Sequence, residues 1–331
     1  MGTDQKTSHR LGFAVSVLGE GGLPSHDTRR WQSGPHLRHS LDRLRRILEY
    51  LDRHDIRMYR MASALAPYAS HPELTQFHGQ VDECGLELAQ LGELARERRI
   101  RLSLHPGQYT VLNSTNPAVV DAAIAELEVH AALLDAMALD PDAVVVLHVG
   151  GATGGKRAAA DRFLAGYERL SPAARLRLVV ENDDRSFGLA DVIEIARRAD
   201  LRVVWDALHH HCNDPERIGD AEALGLGLST WPAGQTPKIH YSSPRLELRE
   251  RRRRVGRRVE RTPVLPPLRA HADMIDPIGF EHFMRAVARS DFDVMLEAKG
   301  KDLALLTLRA QLVARGWRAE RGKVLIGPAE G

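Results

Sequence analysis

Eight times along this chain a short, nearly continuous apolar run is followed by a stretch with helical spacing, and that repeat leaves few folds open. The runs are RLGFAVSV (10–17), IRMYRMAS (56–63), IRLSLHP (100–106), VVVLHVG (144–150), LRLVVEND (176–183), RVVWDALH (202–209), PKIHYSS (237–243) and FDVMLEAKGKD (292–302). Apolar runs of this kind read as strands buried on both faces, the habit of a parallel sheet covered by helices. Helical patterns at 41–51, 86–97 and 119–137 lie between them. The last carries Ile124, Leu127, Leu133 and Leu134 as an apolar face, and Pro117 suits its first turn. Eight strand-then-helix units in 331 residues favour a closed (β/α)8 TIM barrel, a single α/β domain, over an open doubly wound sheet. No glycine-rich dinucleotide fingerprint follows any strand. The expected barrel spans 10–317, with a flexible N-terminus at 1–9 and a C-terminal tail at 318–331. A long insertion at about 244–269 follows the seventh strand.

Composition narrows the class. Hydrophobic residues make up 43% and charged residues 27%, an ordinary soluble balance. No run is long enough to span a membrane, and the first ten residues lack the apolar core of a signal peptide, so a cytoplasmic location is expected. Two cysteines, Cys84 and Cys212, make no disulfide framework and no zinc knuckle. The net charge of +2 describes no globally basic protein, yet 249–261 reads RERRRRVGRRVER. That block is either a solvated helix face or mobile loop, or a contact for an anionic polymer.

The chemistry lies at the strand ends. His105 ends the third run, His148 the fourth and Glu181 the fifth. Asp206 and His209 end the sixth, His240 lies in the seventh and Glu297 in the eighth. A TIM barrel brings the carboxyl ends of all its strands to one face, so seven possible metal ligands from six strands would meet at one mouth. Carboxylates packed there would repel without cations. Nitrogen and oxygen donors without thiolate suit manganese or zinc. Clustered divalent ions suit phosphodiester hydrolysis, although a metal-dependent sugar isomerase or epimerase would use a similar mouth. A non-catalytic binder on the same fold would be expected to lack a ligand.

HPGQY (105–109), LHVGG (147–151), VVENDD (179–184), DALHH (206–210), KIHYSS (238–243), RAHADMID (269–276), LEAKGKD (296–302) and YRMASALAPYASHP (59–72) together resemble the UV damage endonuclease family. The resemblance runs from about 10 to 311. Endonuclease IV, with its three-metal barrel, is a more distant relative. The resemblance implies three divalent ions. His105, His148 and Glu181 would hold the first; Glu181 would bridge to a second held by Asp206, His240 and Glu297; His209 and His271 would hold the third. Glu181 and Asp206 would orient the attacking water. The implied substrate is damaged double-stranded DNA, nicked 5′ to a pyrimidine dimer, and for some members to an abasic site, leaving a 3′-hydroxyl and a 5′-phosphate. Gln108 and Tyr109 would wedge into the duplex beside the lesion. A monomer without protein partners is expected.

Two departures stand out. Where the family carries a Tyr and an Asn in its first strand, this chain has Phe13 and Val17, so Phe13 would stack on DNA without a hydroxyl. The second is the length of the connection from His240 to His271, whose extra residues are largely the block with Arg251, Arg252, Arg253 and Arg254, expected to reach phosphates. Lys238 stands two residues before His240 and so shares its face of the strand. Burial beside cations would drive its pKa down. Endonuclease IV has an Asp two residues before the histidine that corresponds to His271; here Arg269 stands there. A carboxylated Lys238 would supply the missing anion and take part in catalysis. The alternative is a plain lysine that binds a DNA phosphate.

Overall fold

The computed structural model describes residues 7–256, 258–287 and 290–326. Eight parallel strands form the centre: β1 (Ser8–Ala14), β2 (Met58–Arg60), β3 (Arg101–Ser103), β4 (Val145–His148), β5 (Leu178–Glu181), β6 (Arg202–Val204), β7 (Lys238–Tyr241) and β10 (Asp293–Leu296). Register pairs join β7 to β10, β10 to β1, β1 to β2 and β2 to β3 on one side, and β4 to β5 to β6 on the other. Single parallel bridges, Leu104 with Val145 and Asp206 with His240, link the two groups and complete the ring. Between β7 and β10 lie β8 (Arg249–Val255) and β9 (Arg258–Val264), a separate antiparallel hairpin. The described residues of the arginine block therefore form a β-ribbon rather than a helix or a mobile loop.

Helices cover the ring: α1 (Leu37–Arg53), α2 (Gln80–Glu83), α3 (Gly85–Glu97), α4 (Pro117–Ala136), α5 (Lys156–Glu168), α6 (Pro172–Arg177), α7 (Leu189–Ala199), α8 (Ala207–Cys212), α9 (Asp220–Leu228), α10 (Pro277–Val287) and α11 (Lys301–Ala314). Their starts follow local chemistry. Asn116 caps α4 by accepting from Ala118 N at 3.1 Å, with Pro117 in the first turn, where its missing N–H costs nothing. Helix α1 buries Leu37, Leu41, Leu44, Ile47, Leu48 and Leu51, spaced three and four apart, against the outside of the ring. No helix among the described residues is long and apolar enough to cross a membrane.

The C-terminal region departs from the expected loose tail. β11 (Arg318–Glu320) turns into β12 (Lys323–Leu325), and β12 pairs antiparallel with Ser8–Arg10 of β1. His9 is consequently buried, its Nδ1–H donating to Phe292 O at 2.9 Å. The expected flexible ends thus contract; 1–6 and 327–331 lie outside the described residues. Nearby, the carboxylate of Asp293 holds Arg101 at 2.9 Å and Arg10 at 3.1 Å, satisfying buried charge at the end of the barrel remote from the mouth.

Strand parity decides what faces the interior. Gly12 registers with Met295, and Met295 with His240, so these positions share the inner face. Phe13 is one residue on and faces the helix layer. It is wholly buried, its ring 5.4 Å from that of Tyr59 in an edge contact. Val17 is buried too. The expectation that Phe13 stacks on DNA is therefore corrected: its face of the strand belongs to the core.

Candidate active site

Glu181 is the hub of the mouth. Its side chain is fully buried, and four histidines from four different segments surround it. His240 Nδ1 lies 2.9 Å from Oε1 and His105 Nε2 3.1 Å from Oε2, with His148 Nε2 at 3.5 Å and His209 Nδ1 at 3.6 Å. Glu297 adds a second carboxylate, 3.4 Å from His240 Nδ1 and 3.8 Å from His271 Nδ1. Imidazole rings form a chain from His240 to His105 (5.9 Å), His148 (5.3 Å), His209 (5.5 Å) and His271 (6.0 Å). The structure thus brings all eight candidate ligands to one place.

Three overlapping groups have donor atoms within 4.8 Å of one another: His105, His148 and Glu181; His105, His240 and Glu297; Glu181, Asp206 and His209. His271 stands further out, pinned by the bridge from Pro244 and by Nδ1–H donation to Glu297 O at 2.8 Å. His105 and His209 likewise donate Nδ1–H to backbone carbonyls, of Pro106 and Asn182, both at 3.1 Å. Such Nδ1–H bonds orient the rings, so that an unprotonated Nε2 can meet a cation, a common arrangement for metal-binding histidine. Buried polar atoms without a hydrogen-bond partner include His148 Nδ1, His240 Nε2 and Asp206 Oδ2. Orphaned donor atoms around buried carboxylates fit divalent cations, because nothing else among the described residues satisfies them.

Electrostatics agree with the geometry. Burial opposes the charge of Glu181, but the His240 and His148 charges and hydrogen bonds from His105 and His240 hold it well below the usual carboxylate range. Burial pushes His105 down to about 4, against the pull of Glu181. His209 goes the other way: burial is outweighed by Asp206, Glu181 and Glu297, and the ring is pushed up to about 9. Lys238 is fully buried, with Nζ unpartnered; burial first, then Arg101 and Arg60, drive it well below the lysine range. A plain lysine reaching a DNA phosphate is not compatible with that burial.

Sequence reasoning placed Asp206 and His209 at a strand end. In the structure β6 stops at Val204, and Asp206 caps α8, accepting from His209 N at 2.7 Å. Aspartate competes well for this role, so the helix begins where a strand was expected. Two residues were missed. Asn182 clamps the backbone of Asp206, donating to its O and accepting from its N, each at 2.9 Å. Arg60, at the end of β2, pairs with Glu297. Their signal was present only as a polar side chain at a strand end, with partners distant in sequence. Arg269 pairs with Asp184 at 3.1 Å. Gln108 and Tyr109 are exposed on the loop after β3, Tyr109 by 82%, which is unusual for a tyrosine without an outside partner.

A family profile described as UV-endonuclease UvdE matches residues 36–317. The UV DNA damage endonuclease of Bacillus cereus (strain G9842) is 31% identical over 296 residues, covering 87% of this chain and 86% of that protein. That of Bacillus mycoides (strain KBAB4) is 32% identical over 280 residues, covering 82% and 80%. The solved structure of SacUVDE superposes with a TM-score of 0.78 at 30% identity, over 93% of this chain and 99% of that one. An L-ribulose 3-epimerase shares the barrel at 14% identity, with a TM-score of 0.52 over 95% of this chain and 90% of that one, a likeness of fold alone. With a profile that spans most of the barrel and relatives matched over most of their length, the chain belongs to the UV-endonuclease UvdE family.

Proposed function

We propose that this protein is a DNA-repair endonuclease that requires divalent metal ions and nicks damaged double-stranded DNA on the 5′ side of a UV photoproduct. The products would be a 3′-hydroxyl and a 5′-phosphate, with abasic sites as a second substrate. The observation that carries the reading is the buried Glu181 carboxylate ringed by His105, His148, His209 and His240, with donor atoms of His148, His240 and Asp206 left unpaired.

Three ions would be held as the family resemblance implies: one by His105, His148 and Glu181, one by Glu181, Asp206, His240 and Glu297, and one by His209 and His271. Bound divalent ions of the manganese or zinc kind would lower the pKa of water and neutralise charge on the attacked phosphodiester. The chain's own residues do the rest. Glu181 and Asp206 orient the water, Asp206 being fixed by Asn182. Exposed Tyr109 and Gln108 fill the gap left by unstacked bases. The sugar-epimerase alternative has only the fold in common, and a non-catalytic binder would not need the full ligand set.

The test is a nicking assay on one duplex carrying a defined pyrimidine dimer, beside abasic and intact duplexes, with protein stripped by chelator and resupplied with single metals. A metal-dependent nick 5′ to the dimer, extendable by a polymerase, is expected. Absence of cleavage with every metal, or equal cleavage of intact DNA, overturns the proposal.

A further inference from the structure

We propose that the β8–β9 hairpin is a duplex-binding arm that lies in a groove of undamaged DNA beside the lesion and grips it with one face, that of Arg249, Arg251, Arg253 and Arg258. This rests on the endonuclease reading and adds to it a second, separate DNA contact.

The arm leaves the barrel just after His240 and returns just before His271, both candidate ligands. Its root is fixed by the Pro244–His271 bridge, by Arg245 N donating to Ala270 O at 2.6 Å and by Ala272 N donating to Ser243 O at 2.9 Å. DNA seated at the mouth must pass this root.

Seven register pairs, from Arg249–Val264 to Val255–Arg258, make a two-stranded ribbon about 24 Å long at ~3.4 Å per residue. The DNA major groove, about 12 Å wide, admits a two-stranded β-ribbon. At about 3.4 Å of rise per base pair, the arm covers about 7 base pairs of flank.

Charge is distributed unevenly between the two faces of the ribbon. Directly paired residues share a face, and the faces alternate along each strand. One face carries Glu250, Arg252, Arg254, Val259 and Arg261. Here Arg252 stands opposite Arg261, and Glu250 relieves the repulsion, 2.7 Å from Arg252 and 3.6 Å from Arg261. The other face carries Arg249, Arg251, Arg253 and Arg258. Among the described residues these four form no ion pair, even though Glu260 is the cross-strand neighbour of Arg253, whereas on the first face only Arg254 is unpaired. Unneutralised guanidinium groups in a row match a row of phosphates, each of which can accept the two N–H bonds of a guanidinium fork on two of its oxygens. Four leucines at the arm's base, Leu246, Leu248, Leu265 and Leu268, are between 62% and 79% exposed, so this region gains from being covered. The arginines make the cover a polyanion.

The experiment compares the full-length, manganese-loaded protein with Arg251→Gln/Arg253→Gln and with Arg252→Gln/Arg254→Gln. Binding to a dimer-containing duplex is measured against KCl concentration, once with 20-base-pair flanks and once with the flanks cut to 3. On long flanks Arg251→Gln/Arg253→Gln lowers the slope of log affinity against log salt by about 2, at ~0.9 for each phosphate no longer neutralised, and the other pair lowers it by less. The hydroxyl-radical footprint of the first pair retracts by about 7 base pairs on one side, and on cut flanks the variants converge with the parent. Deleting 249–261 and closing the gap with a two-residue turn reproduces the loss, which guards against a disturbed ribbon. Equal slopes for parent and both variants, or equal losses for both, overturn the arm while a parent that still nicks leaves the endonuclease reading standing. A parent that neither nicks nor binds the dimer duplex overturns that reading itself.

Discussion

Arg60 and Glu297 form an ion pair across the mouth, from β2 and the end of β10, with β1 between them. The same Glu297 oxygen lies 3.4 Å from His240 Nδ1, so one carboxylate atom answers to a guanidinium and to a candidate ligand. Burial disfavours the Glu297 charge, and Arg60 is the largest influence that restores it. In the metal-free protein Arg60 thus stands in for a cation. Arg60→Ala leaves Glu297 with too little positive charge, and the metal-free protein should lose about 3 kcal/mol, the lower end for a broken buried pair because both side chains keep some solvent contact. Urea melts with and without saturating manganese check this: the loss should shrink when metal is present. An equal loss in both states would mean that Arg60 serves packing alone.

Glu181→Gln keeps the shape of the hub and removes its charge. The surrounding histidines then face an amide that cannot bridge two cations. Changes to residues that only orient metal ligands cost about 10–100-fold in metal affinity, so loss of a carboxylate proposed to bridge two ions should cost more than about 100-fold. Nicking should vanish while binding of damaged duplex survives in weaker form. Turnover like the parent's by a folded variant would remove Glu181 from the mechanism.

His209 gives the pH dependence its sign. Its folded pKa of about 9 lies above the ordinary histidine value, so the metal-free protein carries a proton there at pH 7. That charge stabilises the metal-free fold fully below about pH 6.5, and the contribution is lost as pH rises through about 9. A cation held by His209, as proposed, would displace this proton. Metal affinity should therefore rise with pH up to about 9, by up to tenfold per unit, with about one proton released per protein at pH 7. Calorimetry in two buffers of different ionisation enthalpy measures the release. His209→Asn should abolish that proton; an undiminished release in the variant would place it elsewhere.

The barrel and most of its candidate site were legible because both are written locally. Runs such as VVVLHV and LRLVVE show buried strands, and the residue ending each run must reach the mouth. What the sequence concealed depends on long-range pairing. Short, exposed β11 has no apolar pattern and exists because it turns into β12, which adds to β1. Arginine favours helices, so RERRRRV had no strand signal until it paired with 258–264. Asn182 reads as a strand residue, yet its role is set by the backbone of Asp206 on the neighbouring segment. The inward or outward sense of Phe13 came from register, which a single run cannot fix.

That parity yields a prediction about lesion recognition. Phe13→Tyr with Val17→Asn would place a hydroxyl and an amide in the core, where both parent side chains are buried. An unpaired buried polar group costs about 1–3 kcal/mol, so the double variant should be less stable by at least that much. Its preference for dimer over intact duplex should match the parent's. A clear rise in that preference would show that the first strand rearranges on DNA.

Lys238 carries the last prediction. Its amine is fully buried and unpartnered, pushed toward the neutral form by burial, Arg101 and Arg60, with Glu181 and Glu297 pulling the other way. A neutral amine is a nucleophile. The Nζ lone pair can attack the carbon of dissolved carbon dioxide, with loss of one N–H proton to solvent, to give a carbamate anion. That anion would sit beside the ring of candidate ligands, where Arg269 is already engaged by Asp184 and brings no negative charge. Protein loaded with metal in ¹³C-labelled bicarbonate should show a carbamate carbon signal that disappears in Lys238→Met. Lys238→Ala should lose nicking and regain part of it with added acetate, whose carboxylate can occupy the vacated space. Without metal, Lys238→Met should be more stable than the parent by about 1–3 kcal/mol, since it deletes an unsatisfied buried donor. An unmodified amine in the metal-loaded protein, together with full activity of Lys238→Ala, would leave the lysine without a chemical role.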